Sequence, residues 1–136
     1  MAAVIERSDR RILIGQRRRD DTSPLKWEFP GGKVEQGETD EAALGRELRE
    51  ELGVTLVKSA PIGHVTHRYA ETATPLEIRF YAAGLESNEV HAAAFEQIAW
   101  VLPRELGDYD FLAANRELVA NLATGRIKPG EVLAGA

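Results

Sequence analysis

The sequence predicts a single α/β domain built as a sandwich, and three observations support this prediction. The chain has 136 residues, of which 43% are hydrophobic and 29% charged, values typical of one globular domain with its own core. It contains no cysteine, which excludes a disulfide framework, thiolate-bound zinc and a cysteine nucleophile. One helical segment lies between strand-like segments and another follows them, an order that favours a sandwich over an open parallel sheet.

The first 30 residues are predicted to form three short strands. The apolar segments Ala2–Glu6 and Arg11–Gln16 flank a polar turn. Residues 17–26 are charged and include a Ser-Pro pair, so a loop is expected there. Trp27–Phe29 alternates as a strand does, and the Pro-Gly-Gly sequence that follows should end it.

Thr39–Leu52 is predicted to form the first helix. Thr39 can cap its start, and the two acidic residues that follow suit the positive end of the helix dipole. Gly53 can end the helix in the left-handed conformation. Leucines at positions 44, 48 and 52 form a narrow apolar stripe at about 100° per residue, so one side of this helix should be buried.

The rest of the chain should contribute four strands and a second helix. The predicted strands are Val54–Ala60, Gly63–Arg68, Leu76–Leu85 and Ile98–Val101. Phe111–Leu122 has the apolar spacing of a helix. Residues 124–136 are small and Gly-rich, which indicates a loose C-terminal tail on a single domain that spans residues 1–136.

The charge balance limits the partners. The net charge is −5, so the basic face of a nucleic-acid-binding domain is not expected. No apolar run approaches the roughly 20 residues of a membrane span, and charges occupy the N-terminal segment where a signal peptide would be apolar. We therefore expect a cytoplasmic protein, a monomer or homodimer, that binds neither membranes nor nucleic acids. An acidic protein can still bind a polyphosphate through a divalent cation.

Three carboxylates crowd one sector of the first helix. Glu47, Glu50 and Glu51 are spaced i, i+3 and i+4, within roughly 100° and beside the leucine stripe. Like charges at these spacings cost a few tenths of a kcal/mol per pair, and a hard divalent cation would offset that cost. The alternative is a solvated acidic face in which Arg46 pairs with Glu50, and the helix alone favours this alternative.

The segment before the helix completes a longer motif, Gly-x5-Glu-x7-Arg-Glu-U-x-Glu-Glu-x-Gly-U, where U is aliphatic. The matching residues are Gly32, Glu38, Arg46, Glu47, Leu48, Glu50, Glu51, Gly53 and Val54. A chance match in a chain of this length has a probability of about 10⁻⁸. This motif is the Nudix box, so the chain resembles the Nudix hydrolases, and the stretch from Trp27 to Lys33 resembles the MutT-type branch.

The resemblance implies a Nudix-like α/β/α sandwich with a mixed central sheet, and hydrolysis of a nucleoside diphosphate linked to another group. In the family, the glutamates that match Glu47, Glu50 and Glu51 hold a divalent metal ion, Mg²⁺ with Mn²⁺ as a substitute. The backbone carbonyl at the position of Gly31 or Gly32 joins them. A bound metal lowers the pKa of its water, and a carboxylate beside that water can act as the base.

The resemblance also implies supporting residues. Arg46 is expected to orient the glutamates, and Glu38 to bind Arg46 or a metal-bound water, with a purely structural salt bridge as the alternative for both. MutT-type relatives carry a further glutamate where this chain has Ala94. Glu96 lies two residues later and is a possible substitute, so the base is open between the box glutamates and Glu96.

Five residues are candidates for substrate contacts. Arg17 and Lys33 match basic positions near phosphate in MutT-type enzymes, and a solvated loop is the alternative for Arg17. Trp27 and Phe29 are candidates for stacking on the base, with core packing as the alternative for Phe29. Asn115 matches the asparagine that reads the edge of an oxidised purine, with helix capping or turn chemistry as its alternative.

The leading functional hypothesis is a nucleoside triphosphate pyrophosphohydrolase that releases a monophosphate and pyrophosphate. Oxidised dGTP (8-oxo-dGTP) is the first candidate substrate, which would place the protein in DNA repair, and CTP or dCTP is the second. Another hypothesis is a Nudix hydrolase for a dinucleoside polyphosphate or nucleotide sugar. A non-catalytic nucleotide-binding module is the third, and the intact acidic triad argues against it.

Overall fold

The computed structural model describes residues 1–68 and 74–136, and within them it contains six strands and three α-helices. The strands are β1 (Ala2–Ile5), β2 (Ile12–Gln16), β3 (Trp27–Glu28), β4 (Leu56–His67), β5 (Leu76–Leu85) and β6 (Gln97–Val101). The α-helices are α1 (Asp40–Leu52), α2 (Arg116–Ala123) and α3 (Pro129–Ala134). Short 3₁₀ helices cover Pro103–Asp108 and Ala113–Asn115. Among the residues described, none of the helices has the length and apolarity needed to cross a lipid bilayer.

The strands form two three-stranded sheets. The first has the order β1-β5-β4 and is mixed, because β1 runs parallel to β5 whereas β4 runs antiparallel to it. The second has the order β3-β2-β6 and is antiparallel. Single bridges from Ala2 to Gly31 and from Glu6 to Ile12 link β1 to segments of the second sheet.

Alternation along the strands divides the core into two clusters. Val4 and Ile12 belong to the cluster that includes Leu118 and Leu122 of α2. Their neighbours in β1 and β2, including Ile5, belong to the cluster that includes the leucines of α1. Because successive side chains of a strand point to opposite faces, α1 and α2 cover opposite sides of the sheets. The predicted α/β/α sandwich with a mixed sheet is therefore confirmed.

Helix α1 begins and ends as its sequence predicts. The Thr39 hydroxyl accepts a hydrogen bond of 3.1 Å from the Ala42 N–H, which caps the first turn. Gly53 has φ of 69° and donates its N–H to the carbonyl of Arg49 at 3.0 Å, a left-handed C-cap that a residue with a side chain adopts at a cost. These two caps fix where the glutamates of α1 lie along the helix.

Strand β4 runs through two segments that were predicted as separate strands, Val54–Ala60 and Gly63–Arg68. Pro61 lies opposite Tyr81, and the register shifts between Pro61 and Gly63. Proline lacks an N–H and is tolerated at the edge of a sheet or at a bulge. Because β4 is an edge strand, the proline bends the strand without ending it.

The C-terminal region differs from the prediction in two places. Phe111 forms a parallel bridge with Trp27, so the second helix starts at Arg116 after a 3₁₀ turn and not at Phe111. The prediction of a loose tail is wrong for Pro129–Ala134, which form α3. Proline suits the first position of a helix, and Leu133 of α3 packs close to Gly84 of β5.

Candidate active site

Two glutamates of α1 face the turn formed by Gly31 and Gly32. The Gly31 N–H donates a hydrogen bond of 2.9 Å to Glu51 Oε1. The Glu47 carboxylate lies so close to Gly32 that a Cβ added there would be 2.3 Å from its Cδ. Only glycine can occupy that position without displacing the carboxylate. The absence of side chains on the turn thus allows its backbone to meet Glu47 and Glu51.

The Gly32 carbonyl also contacts the start of β1. It accepts a hydrogen bond of 2.8 Å from the α-amino group of Met1, and the Gly32 N–H donates to the Met1 carbonyl at 3.0 Å. A carbonyl oxygen has two lone pairs, so one remains for a second ligand. The backbone of this turn is therefore compatible with the metal contact expected of Gly31 or Gly32.

Arg46 connects α1 to the loop that precedes it. Its guanidinium makes two bonds to Glu38, at 2.8 and 2.9 Å, and one to Glu47 at 2.9 Å. It also donates to the Lys33 carbonyl at 3.0 Å. These bonds to Arg46 lower the pKa of Glu38 to about 2. The structure thus contains the expected contacts of Arg46 with Glu38 and with a box glutamate.

The surroundings of Glu51 disfavour its charge. Burial raises the pKa of Glu51 to about 8, the hydrogen bond from Gly31 opposes the rise, and the charges of Glu47, Glu28 and Glu50 add to it. A divalent cation would relieve the repulsion among these carboxylates. The set of carboxylate and carbonyl oxygens therefore fits a hard ion such as Mg²⁺ or Mn²⁺.

The three box glutamates have different partners, since Glu47 and Glu51 face the glycine turn whereas Glu50 lies towards solvent. Among the described residues, no three histidine, aspartate or glutamate side chains are arranged so that they could hold a metal ion together. Glu47 is bound to Arg46, and Glu51 to Gly31. Glu50 is 60% exposed and 3.5 Å from Arg46, so the solvated-face alternative describes Glu50 and not the other two.

The pKa of Glu51 predicts how stability changes with pH in the metal-free protein. The native pKa of Glu51, about 8, exceeds the unfolded value of about 4.5. The contribution of protonated Glu51 to the free energy of unfolding is therefore complete below about pH 4.5 and is lost as pH rises through about 8. The free energy of unfolding should fall by a few kcal/mol over this window, at about 1.4 kcal/mol per pKa unit. Denaturant titrations in chelator measure the change.

The matched variant for this prediction is Glu51→Gln, which cannot ionise. It should flatten the pH dependence between pH 5 and 9. Saturating Mg²⁺ should stabilise the wild-type protein most at the alkaline end, where the metal no longer competes with a proton. An equal slope in the variant and the wild-type protein would contradict the assignment of this pKa to Glu51.

A further carboxylate at this site, Glu28, is absent from the sequence prediction. Its charge acts on Glu51. Burial raises the pKa of Glu28 above its ordinary value, although the neighbouring Arg17 opposes part of this rise. The alternation of Trp27–Phe29 was the signal that could have found it. Two aromatic side chains on one face of the strand place Glu28 on the other face, next to the glycine turn.

The two basic phosphate candidates differ in their surroundings. Arg17 is 18% exposed, and its guanidinium contacts Glu28 at 3.1 Å, Asp21 at 3.0 Å and the Thr22 carbonyl at 2.7 Å. The solvated-loop alternative is therefore wrong for Arg17, and a phosphate would have to replace one of these contacts. Lys33 is exposed, and within residues 1–68 and 74–136 its ammonium has no ion-pair partner.

Glu96 lies apart from the α1 carboxylates in the contacts that the structure describes. It pairs with Arg19 at 3.3 Å and accepts the Arg19 backbone N–H at 3.4 Å. These bonds to Arg19 lower the pKa of Glu96. The structure thus groups Glu28, and not Glu96, with Glu51.

The aromatic candidates Phe29 and Trp27 lie in the core. Phe29 is 3% exposed, stacks on Phe111 at 5.3 Å and meets Phe80 edge-on at 6.4 Å. This is the core-packing alternative, and Phe29 offers no exposed face to a base. Trp27 is 9% exposed and contacts Tyr109 edge-on at 5.0 Å, so little of its ring can reach a ligand.

Asn115 is 4% exposed and precedes α2, but it does not cap that helix with its side chain. In the part of the chain that the structure describes, its amide has no hydrogen-bond partner. Every described side-chain nitrogen or oxygen that is sealed from solvent is hydrogen-bonded, so the unpaired amide opens to solvent. The side chain of Asn115 therefore makes no capping bond, although its backbone N–H closes a 3₁₀ turn on the Leu112 carbonyl at 2.9 Å.

Comparisons with known proteins place this geometry in context. Residues 1–122 match the NUDIX domain family. A Mycobacterium tuberculosis relative named "Putative 8-oxo-dGTP diphosphatase 2" is 39% identical over 112 residues, which cover 82% of this chain and 79% of the relative. The CTP pyrophosphohydrolase of Escherichia coli is 32% identical over 134 residues, which cover 96% of this chain and 96% of the relative. A solved structure from a study of MutT of Aliivibrio salmonicida and Vibrio cholerae superposes with a TM-score of 0.77 at 32% identity. The superposition covers 91% of this chain and 94% of the solved chain.

Proposed function

The chain belongs to the NUDIX family of hydrolases, and from this membership and the acidic site we propose that it hydrolyses a nucleoside triphosphate to the monophosphate and pyrophosphate. The observation that carries the proposal is the contact of Glu47 and Glu51 with the Gly31–Gly32 turn. Phosphoryl transfer depends on positioning and charge stabilisation more than on covalent chemistry. An acidic helix held against a glycine turn can provide both.

Nudix hydrolases generally need a divalent metal ion, and here we propose Mg²⁺, with Mn²⁺ as a substitute. Glu47, Glu50 and Glu51 would hold it, with a carbonyl of Gly31 or Gly32. Such an ion lowers the pKa of a bound water and polarises a phosphoryl oxygen.

The protein's own groups have separate tasks. Arg46 fixes Glu47 and the preceding loop, and the exposed Lys33 ammonium can bind a phosphate. The base is assigned to the box glutamates, because Glu96 is paired with Arg19.

The proposed substrate is oxidised dGTP. The unpaired Asn115 amide offers one donor group and one acceptor, which can match a purine edge that presents both. The 39% identity to the Mycobacterium tuberculosis relative supports this substrate. CTP is the second candidate, supported by the similarity to the Escherichia coli enzyme over 96% of the chain. We also propose a cytoplasmic protein without a nucleic acid partner, consistent with the net charge of −5.

A panel of nucleotides tests the proposal. The panel contains 8-oxo-dGTP, dGTP, CTP, dCTP, a dinucleoside polyphosphate and a nucleotide sugar, each with Mg²⁺, and pyrophosphate and orthophosphate are measured separately. We expect pyrophosphate release with the highest kcat/KM for 8-oxo-dGTP, abolished by chelator. Orthophosphate release would indicate a different scissile bond, and no turnover of any compound would favour a binding module.

A further inference from the structure

The first residue of α1 is held by two side chains of β5. Arg79 binds both carboxylate oxygens of Asp40, with Nε at 2.5 Å and Nη2 at 2.8 Å, and Tyr81 donates its hydroxyl to the same carboxylate. Arg79 and Tyr81 are two positions apart on one strand, so they share a face of the sheet. Arg79 also contacts Glu77 at 3.4 Å. We call the group Asp40, Arg79 and Tyr81 the clamp.

The clamp and the acidic site lie on the same side of α1. Asp40 precedes Glu47 by seven residues, which is two turns with a rotation of only about 20°. The clamp is also near the glycine turn, because Arg79, Asp40 and Glu47 all act electrostatically on the α-amino group of Met1. A rotation of α1 that broke the clamp would therefore move Glu47 relative to Gly32.

Apart from the hydrogen bond between Gly31 and Glu51 at the site itself, the other contacts of α1 do not fix this rotation equally well. Its buried side is a stripe of leucines, Leu44, Leu48 and Leu52, and apolar contact is not directional. A bidentate arginine–carboxylate pair has a defined plane and distance, which adds geometric specificity. Asp40 joins the start of the catalytic helix to β5 in this way, whereas Arg46 joins the helix only to the loop before it.

We propose that Arg79 and Tyr81 are positioning residues that set the rotation of α1, so that Glu47 and Glu51 face the Gly31–Gly32 turn. The inference rests on the proposed function, because it assigns the metal ligands to α1. Neither residue touches the box glutamates in the contacts described, so their effect is transmitted by the helix. Small displacements matter here, since an error of about 1 Å in a catalytic group can cost about 10²-fold in rate.

Electrostatics and positioning predict opposite effects of removing Arg79. A positive charge near the acidic site repels a cation, so the loss of charge alone should tighten metal binding. A loss of position should weaken it. Arg79→Met is therefore the test variant, and Arg49→Met is its control, because Arg49 is an exposed residue of α1 whose side chain makes no described contact.

The measurement is Mn²⁺ affinity of the nucleotide-free protein, from the electron paramagnetic resonance signal of free Mn²⁺. Arg79→Met is expected to raise the Kd for Mn²⁺ about 10-fold, which is the lower end of the range of about 10- to 100-fold for loss of a residue that orients metal ligands. Arg49→Met should leave the Kd unchanged or lower it. Tyr81→Phe keeps the ring and removes one bond to Asp40, so it should raise the Kd in the same direction by less. Circular dichroism and Tm check that each variant is folded.

Each outcome decides between the proposals. Equal or tighter Mn²⁺ binding by a folded Arg79→Met protein would overturn the clamp alone. If that variant does not fold, unchanged binding by Tyr81→Phe overturns it in the same way. A wild-type protein that binds no Mn²⁺ would overturn the proposed metal site, and with it the role of the clamp. Weaker binding only in the clamp variants supports the proposal, whichever nucleotide proves to be the substrate.

Discussion

Replacing Glu51 with glutamine is expected to lower kcat for nucleoside triphosphate hydrolysis by at least about 10²-fold, and replacing Glu50 should have an effect of the same order. Glutamine keeps the volume of glutamate, and its amide oxygen can still accept the hydrogen bond from the Gly31 N–H. The charge is what it removes. Initial rates at saturating Mg²⁺, with 8-oxo-dGTP as substrate, measure the effect.

The fold should survive this substitution. Glu51 is half-buried. Its partial burial raises its pKa most, and the charges of Glu47, Glu28 and Glu50 raise it further. Removing a charge from such a cluster should leave the metal-free protein as stable as before, or more stable at alkaline pH. A large loss of turnover with an unchanged or raised Tm would therefore separate a catalytic role from a structural one.

Glu96→Gln is the matched control. It removes a carboxylate that is paired with Arg19 and has no described contact with α1, so it should cost less than either box substitution. Near-normal turnover of both box variants at saturating Mg²⁺ would mean that the site is assigned wrongly. A larger loss in Glu96→Gln than in Glu51→Gln would make Glu96 the base.

Helix α1 could be predicted because its determinants are local. The Thr39 cap and the left-handed Gly53 act within one turn of the helix end, and both are present. The leucine stripe and the glutamate spacing follow from the helical period. The resemblance predicts that a carbonyl of Gly31 or Gly32 joins the glutamates at a metal ion, whereas the close approach of Glu47 to Gly32 comes from the structure.

Contacts between distant segments could not be predicted in the same way. The charge of Glu28 acts on Glu51 because β3 leads into the glycine turn, where Gly31 binds Glu51, 20 residues later in the chain. The pairing of Arg17 with Glu28 depends on the path of the loop at 17–26. The clamp joins Asp40 to Arg79, 39 residues later. Periodicity places each of these residues on a face but does not identify its partner.

The tail was misjudged for a related reason. Glycine and proline have low helix propensity, and both occur in residues 124–136, which therefore suggest a loose segment. Helix stability in proteins comes mainly from packing, and α3 packs on β5 through Leu133, where Gly84 leaves room. The composition of the tail alone does not predict that a glycine on β5 makes room for Leu133.

Asn115→Ala is expected to abolish most of the selectivity between oxidised dGTP and dGTP. If the amide reads the base, its loss leaves polar groups of the bound purine unpaired, at about 1–3 kcal/mol each. This corresponds to roughly 5- to 100-fold in relative kcat/KM. The amide makes no described hydrogen bond to the acidic helix, so the slow hydrolysis of poor substrates should change little.

The structure sharpens this prediction because it shows no side-chain cap at Asn115. A capping role would predict lower thermal stability and a uniform change for all nucleotides, but the side chain makes no capping bond. We therefore expect a Tm close to that of the wild-type protein. Asn121→Ala, six residues further along the same region and within α2, is the control for loss of an asparagine from this helix, and it should leave selectivity unchanged.

The deciding measurement is kcat/KM for 8-oxo-dGTP, dGTP, CTP and dCTP with each variant, together with a melting curve. A collapse of the preference for 8-oxo-dGTP in Asn115→Ala alone would assign base recognition to Asn115. Retained preference with a normal Tm would mean that another group reads the purine. A loss of kcat/KM for CTP and dCTP alike, with the ratio of 8-oxo-dGTP to dGTP unchanged, would instead favour the cytidine nucleotides as substrates, because the edge of cytosine also presents a donor and an acceptor to an amide.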